Sequence, residues 1–463
     1  MNSSTLFFSS ALLPDGWAED VRITVAPDGF ISEAQAGASG AGAVQISGAA
    51  VAGIANVHSH AHQRAITGLT ERAGPGADSF WTWRDAMYAY LGNMTPEDLQ
   101  AIAAQLYVEM LKSGFTSVGE FQYLHHNRDG ANYAEPAEMT LACLSAAREV
   151  SIGFTALPVL YAFGGFGAKP PVDGQKRFIN SAESFLQIVE RLAAETQGSP
   201  QQNFGIAPHS LRAVDEELLK DVIAGLIKIA PDAPIHIHIA EQMKEVEDCL
   251  SWCGKRPVAH LLETYEVDAR WCAIHATHLD YHEVAGLAAS GAVAGLCPTT
   301  EANLGDGIFP ANAFLEAGGK IAIGSDSHIS VSPAEDLRML EYSQRLRDRA
   351  RNVLADGPGL STGRSLLDRT LRGGAQAINR KTGALSTGFQ ADIVVLDTPH
   401  PALAGRKRDE LLDSWIFSGG NECVRDVIAG GRHIIQNRRH PNEDAILNRF
   451  RKTLARLKEK AGA

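Results

Sequence analysis

Ala49-Ala-Val-Ala-Gly-Ile-Ala-Asn-Val-His-Ser-His60 runs from unbroken apolar character straight into two histidines one residue apart. A short apolar run without polar alternation is the pattern of a strand covered on both faces. Side chains two apart on a strand leave the same side. His58 and His60 therefore project together from the C-terminal end of a buried strand, close enough to chelate one metal ion. Two surface histidines meet this pattern often, so the rest of the chain has to supply the remaining ligands.

The same kind of run recurs. Strands are predicted at 51–57, 116–121, 153–160, 204–207, 235–239, 271–275, 292–297 and 320–323, with helical patterns such as 97–112 and 182–195 between them. Eight strand-then-helix units point to an α/β fold of the (β/α)8 barrel type, a TIM-like barrel. The ends of the chain differ. Residues 1–50 and 381–440 hold short β-like runs and Gly-rich turns, such as Gly37-Ala-Ser-Gly-Ala-Gly42 and Ala391-Asp-Ile-Val-Val-Leu-Asp397. They predict a small β-sandwich domain built from both termini, flanking a barrel over 51–380, with a charged C-terminal helix over 441–463.

The chain has 463 residues, and 42 Lys and Arg against 54 Asp and Glu leave a net charge of −12. That balance speaks against nucleic-acid or anionic-membrane partners, which call for a basic patch. An anionic substrate would need local arginines. The six cysteines are scattered, and only Cys249 and Cys253 lie close together, with no second pair beside them. They read as reduced thiols of a cytosolic protein. No Lys or Arg precedes Arg22 to start a signal peptide, and no apolar stretch reaches the roughly 18 residues of a membrane span. The expectation is a soluble cytoplasmic protein acting on a small molecule, as a homodimer.

Ionisable residues gather at the predicted strand ends, where barrel active sites are built. The first strand ends in His58-Ser-His60, the fourth in Pro208-His209-Ser-Leu-Arg212, and the fifth reads His236-Ile-His238-Ile-Ala-Glu241. The sixth ends in His275-Ala-Thr-His278 and the eighth in Gly324-Ser-Asp326-Ser-His328. A lone buried histidine is more often a satisfied core group than a ligand, but five such coincidences at equivalent ends are not. His58, His60, His238 and Asp326 would supply three imidazoles and a carboxylate to one Zn²⁺ with an open position for water. His236 shares a face with His238 and could be the ligand instead; His238 is preferred as nearer the strand end. Glu241, three residues on, then falls beside the metal water, where a carboxylate can shuttle a proton.

At this point the sequence resembles the amidohydrolase superfamily, through Gly53-Ile-Ala-Asn-Val-His-Ser-His60, the strand-five and strand-six histidines and the strand-eight aspartate. The tail Gly383-Ala-Leu-Ser-Thr-Gly-Phe-Gln-Ala-Asp-Ile-Val-Val-Leu-Asp397 is similar to that superfamily's return into its β-domain. His209 stands where binuclear members carry a carbamylated lysine, which implies a mononuclear, deaminase-type member.

Longer segments sharpen the resemblance: Ser79-Phe-Trp-Thr-Trp-Arg84, Glu120-Phe-Gln-Tyr-Leu-His-His126, His209-Ser-Leu-Arg-Ala-Val214 and Thr300-Glu-Ala-Asn-Leu-Gly-Asp-Gly307. They resemble the branch that deaminates N-formimino-L-glutamate in histidine degradation, along essentially the whole chain. Gln122 departs from it, standing where related members carry a His. The resemblance implies one zinc per chain on His58, His60, His238 and Asp326. Glu241 would be the catalytic acid/base, with His275 beside the reacting group and Asp326 also taking part in proton transfer. Substrate would bind to Gln63, Arg84, Tyr123, His209 and Arg212.

Elementary chemistry agrees with that set. N-formimino-L-glutamate carries two carboxylates and an amidine, and guanidinium forks bind carboxylates bidentately. Arg84 and Arg212 could do so, with Tyr123 and Gln63 as neutral donors. Trp81 and Trp83 read as wall packing, and His328 as the best of the unassigned histidines for lining the pocket. Two other readings stand beside this one. A deaminase of a cyclic amidine would not need two arginines, and a catalytically dead barrel would not need Glu241, His275 and Asp326 together.

Overall fold

The computed structural model describes residues 3–71, 87–88 and 91–461. Its strands, in chain order, are β1 (Ser4–Leu13), β2 (Gly16–Val25), β3 (Ile31–Gln35), β4 (Val44–Ala52), β5 (Ile54–Ser59), β6 (Phe115–Gln122), β7 (Gly153–Leu160) and β8 (Gln202–Phe204). There follow β9 (Ala207–Pro208), β10 (Ile235–Ile239), β11 (Trp271–His275), β12 (Val293–Leu296), β13 (Lys320–Ile323), β14 (Ile393–Leu396), β15 (Val424–Ala429) and β16 (Arg432–Ile435).

The two ends of the chain meet in one seven-stranded sheet ordered β16-β15-β14-β4-β1-β2-β3. Its seam is the antiparallel pair β14–β4, with Ile393 opposite Ala52. The predicted first barrel strand, 51–57, is divided by this arrangement: Val51 and Ala52 finish β4 in the terminal sheet, and the barrel begins at Ile54. Gly53 makes the change of sheet possible, because a Cβ there would strike the Thr116 side chain. The predicted fourth strand also breaks in two, into β8 and β9, at Gly205-Ile206, where Ile206 turns to bridge Ile235.

The barrel is made of two parallel arcs, β5-β6-β7-β8 with β9 paired to β7, and β10-β11-β12-β13. Parallel bridges Ile206–Ile235 and Ser210–His238 join the arcs on one side, and Ser59–Asp326 closes the ring on the other. That last bridge brings the ends of the first and eighth strands together. Gly324 permits the approach, since a Cβ there would lie 2.7 Å from His58 Cβ.

Inside the ring, Ala55, Val57, Cys272, Ile274, Val293, Cys297 and Ala322 pack with Ala377 and Ile378. β5 and β11 are not neighbours in the sheet, so these side chains can meet only across the interior. The barrel is thus filled, and Ala377 and Ile378, at the end of the helix Thr362–Ala377, plug its lower end. Chemistry is left to the upper, C-terminal rim.

The helix Pro96–Ser113 shows how the outer layer reaches the site. Thr95 caps it by accepting from the Asp98 amide, and Gly114, at φ 108°, ends it. Its Tyr107 then donates to Glu120 on β6. Among the described residues no helix is long and apolar enough to cross a membrane.

Candidate metal centre and active site

Four side chains converge above the packed barrel interior. His58 and His60 leave the end of β5, His238 stands on β10, and Asp326 follows β13. The His58 and His238 Nε2 atoms are 3.0 Å apart. Asp326 Oδ1 lies 3.4 Å from His58 Nε2 and 3.3 Å from His60 Nε2. Ligands held tetrahedrally at about 2.0–2.1 Å from zinc stand roughly 3.3 Å from one another, so these spacings are those of a coordination shell.

The hydrogen-bond pattern asks for a cation at its centre. His60 Nδ1–H donates to the Phe121 carbonyl at 2.9 Å, and His238 Nδ1–H donates to the His209 carbonyl at 3.0 Å. Each ring thereby turns an Nε2 lone pair inward. One of those lone pairs faces a carboxylate oxygen and the other faces a second imidazole nitrogen. The first contact repels unless a positive charge sits between its atoms, and the second needs either that charge or a proton on His58 Nε2. Burial pushes His58 down to about 3, with His60 adding to the effect. Burial likewise lowers His60, and lowers His238 strongly. The rings are held neutral, the form that binds metal.

Beside this floor lie three ionisable groups in contact, His275, Glu241 and Asp326. His275 Nε2 is 3.8 Å from Glu241 Oε1 and 3.8 Å from Asp326 Oδ2. Burial opposes a charge on His275, but Glu241, Glu301 and Asp326 outweigh it and push the ring up to about 10. Burial raises Glu241 to about 7, with His275 pulling the other way and Asp326 adding to the rise. A carboxyl poised near neutrality is what general acid–base work requires. The backbone here is unusual: Ala240, His275, Ala276, Asp326 and His328 all have φ between 46° and 66°. Left-handed turns at non-glycine residues cost energy and gather at functional sites.

A cavity of about 610 Å³, its open mouth included, rises from this floor. Gln63, Tyr123, His209, Arg212, Glu241, His275 and Asp326 all line it. Gln63 Nε2 donates to the Tyr123 hydroxyl at 3.2 Å, which itself faces Met87. Arg84, Trp81 and Trp83 lie outside the described residues.

His236 is placed away from the cluster. Its Nε2 meets the Ala377 carbonyl at 2.7 Å, in the plugged end of the barrel. His328 does not line the cavity either. It turns behind the floor, with its Nδ1 2.9 Å from Ser325 Oγ, because the left-handed turn at Asp326 redirects the chain. Gln122 ends β6 and shapes the chain that follows: its Oε1 accepts from the Leu124 amide and its Nε2 reaches Cys143 Sγ.

Three buried acids escaped the sequence reading. Glu120 accepts from Ser59 Oγ and the Ala61 amide, each at 2.6 Å, and so pins the chain on both sides of His60. Glu301 accepts from the Cys297 amide at 2.8 Å and meets His275 Nδ1 at 3.3 Å. Asp306 closes the group around Glu241 and His275. For Glu120 a signal was present, a lone acid inside an apolar strand run. For the other two, on the connection after β12, none was.

The model of the amidohydrolase family matches residues 49–434. The chain belongs to the amidohydrolase family. A second model, the N-terminal domain of formimidoylglutamate deiminase HutF, matches residues 4–45. Among curated proteins, a formimidoylglutamate deiminase of Pseudomonas aeruginosa is 49% identical over 98% of this amidohydrolase and 99% of its own length. A 5-methylthioadenosine/S-adenosylhomocysteine deaminase of Haloarcula marismortui is 26% identical over 90% and 88%. Among solved structures, an amidohydrolase from Brucella melitensis superposes with TM-score 0.93 at 48% identity, covering 98% of this chain and 99% of that one. A zinc-bound adenosine deaminase from Xanthomonas campestris shares the fold, with TM-score 0.81 at 20% identity over 98% of both chains.

Proposed function

We propose that this amidohydrolase is a zinc-dependent deiminase that hydrolyses N-formimino-L-glutamate to N-formyl-L-glutamate and ammonia, a step of histidine degradation. The observation that carries this reading is 49% identity, end to end, with a formimidoylglutamate deiminase. The chemistry of the cavity agrees with it.

His58, His60, His238 and Asp326 would hold one zinc per chain. Bound there, zinc would supply Lewis acidity, lowering the pKa of a water toward neutrality. The side chains do the rest. Asp326 and Glu241 accept the proton that water gives up as its oxygen bonds to the formimino carbon, while His275, which already carries both ring protons, donates toward the charge that develops. Glu241 delivers a proton to the terminal amidine nitrogen, the carbon–nitrogen bond breaks, and ammonia leaves. Arg212 grips a substrate carboxylate at the rim, with Arg84 as the second guanidinium. Gln63, Tyr123 and His209 complete the contacts. The same reading takes the enzyme to be a cytoplasmic homodimer, to be checked by sedimentation of the purified protein.

A coupled ammonia assay with N-formimino-L-glutamate, N-formimino-L-aspartate, adenosine and an uncharged formamidine tests the proposal. The formimino dicarboxylates should be turned over far faster than the nucleoside. Preference for the nucleoside would overturn it.

A further inference from the structure

Asp306 is the last residue of the buried acidic group and the one whose purpose the reaction above leaves open. It is 6% exposed. Its amide donates to the Glu301 carbonyl at 2.9 Å, and its carbonyl meets His278 Nε2 at 2.8 Å. Its Oδ1 accepts from Gln242 Nε2. Every polar group of the residue is tied down except Oδ2, which is buried without a hydrogen-bond partner. A carboxylate oxygen of Asp306 comes within 4.8 Å of an oxygen of Glu241 and a nitrogen of His275.

A rigid, buried acceptor with nothing to accept from is costly unless a donor arrives. Burial, reinforced by Glu241 and the other nearby acids and offset by His275, pushes the Asp306 carboxyl up to about 9. The site calls for positive charge. An amidine is a strong base, and in neutral water it is an amidinium whose terminal nitrogen carries two N–H donors. Two acceptors at about 2.9 Å from one such nitrogen, along bonds some 120° apart, stand about 5 Å from each other. Carboxylate oxygens of Glu241 and Asp306 lie within 4.8 Å of one another, near enough for both to face one such nitrogen.

We propose that Asp306 is a specificity-determining residue that binds the amidinium end of the substrate, its Oδ2 taking one N–H of the terminal nitrogen while Glu241 takes the other. The inference rests on the formiminoglutamate reading and extends it. An arriving amidinium would offset the charge that the buried carboxyl takes on when it gives up its proton, whereas N-formyl-L-glutamate keeps both carboxylates but brings no such cation.

The test compares two competitive ligands of the zinc-loaded enzyme: N-amidino-L-glutamate, a cation of the same shape, and N-formyl-L-glutamate, neutral at that end. Asp306→Asn should weaken the cation at least tenfold relative to the formyl compound. Gln242→Leu, which frees Asp306 from its anchor, should move the ratio the same way by at least threefold. It carries the test if the Asn variant does not fold. An unchanged ratio, or equal weakening of both ligands, would overturn the proposal. Failure of the wild-type enzyme to release ammonia from N-formimino-L-glutamate would instead overturn the function on which the proposal rests.

Discussion

His236 and His238 share one strand and one face, yet they belong to opposite ends of the barrel. At the lower end, Ala377 and Ile378 close the interior, small apolar side chains fill it, and His236 Nε2 finds a backbone carbonyl. At the upper end, His238 spends its Nδ1–H on the His209 carbonyl and turns a bare nitrogen toward His58. At the lower end the histidine spends its Nε2 on the chain's own backbone, among apolar neighbours. The upper end is arranged so that its requirements are met only by something from outside. The position of a residue along the barrel axis, more than its type, decides whether it serves stability or chemistry.

Exchanging the two histidines breaks this comparison most severely. His238→Asn should lose zinc, read by metal analysis, and reduce ammonia release to background. His236→Asn should keep both the metal and the rate, and instead lower unfolding stability by about 1–3 kcal/mol for the disturbed buried polar contact. Loss of zinc in the His236 variant would erase the distinction between the two ends.

Glu241 lies at the upper end, beside the proposed ligand set and outside it. Glu241→Gln should retain zinc and bind substrate but lose roughly 10²–10⁴ in kcat, the usual contribution of a general acid–base group. A metal-free variant would make Glu241 a ligand.

Moving outward to the rim, Arg212→Met should cost about 2–5 kcal/mol in kcat/KM for the dicarboxylate, as expected when a buried charge pair loses a partner. Hydrolysis of an uncharged formamidine should be unaffected. Equal damage to both would mean that the arginine supports the cavity wall. Smallest of all, Tyr123→Phe removes a single neutral hydroxyl shared with Gln63. About 0.5–1.5 kcal/mol, felt in KM, is expected.

The barrel strands and the gathering of His58, His60, His238 and Asp326 at their ends were both legible in the sequence because local rules govern them. Six of the eight predicted strands coincide with observed ones to within a residue at each end, Ile235–Ile239 and Trp271–His275 among them. Each of these four side chains sits at or close to a strand end, so alternation and order along the chain were enough to bring it forward as a candidate ligand. The places where the reading slipped depend on contacts distant in sequence. Val51 and Ala52 pass to the terminal sheet because β14, some 340 residues later, pairs with them. His328 was expected in the pocket, but the left-handed turn at Asp326 carries it behind the floor. Glu301 and Asp306 lie on a helix and the turn after it, where nothing in their own neighbourhood announces that His275 and Glu241 will be their neighbours.

The central claim is that four strand-end side chains hold one zinc that this hydrolysis needs. The most direct test is to strip the protein with a chelator, confirm an unchanged circular dichroism spectrum, and follow ammonia release from N-formimino-L-glutamate as Zn²⁺ is added back. The account predicts that activity returns in proportion to added metal and levels off at about one equivalent per chain. A plateau at two equivalents, or full activity in the stripped protein, would contradict it.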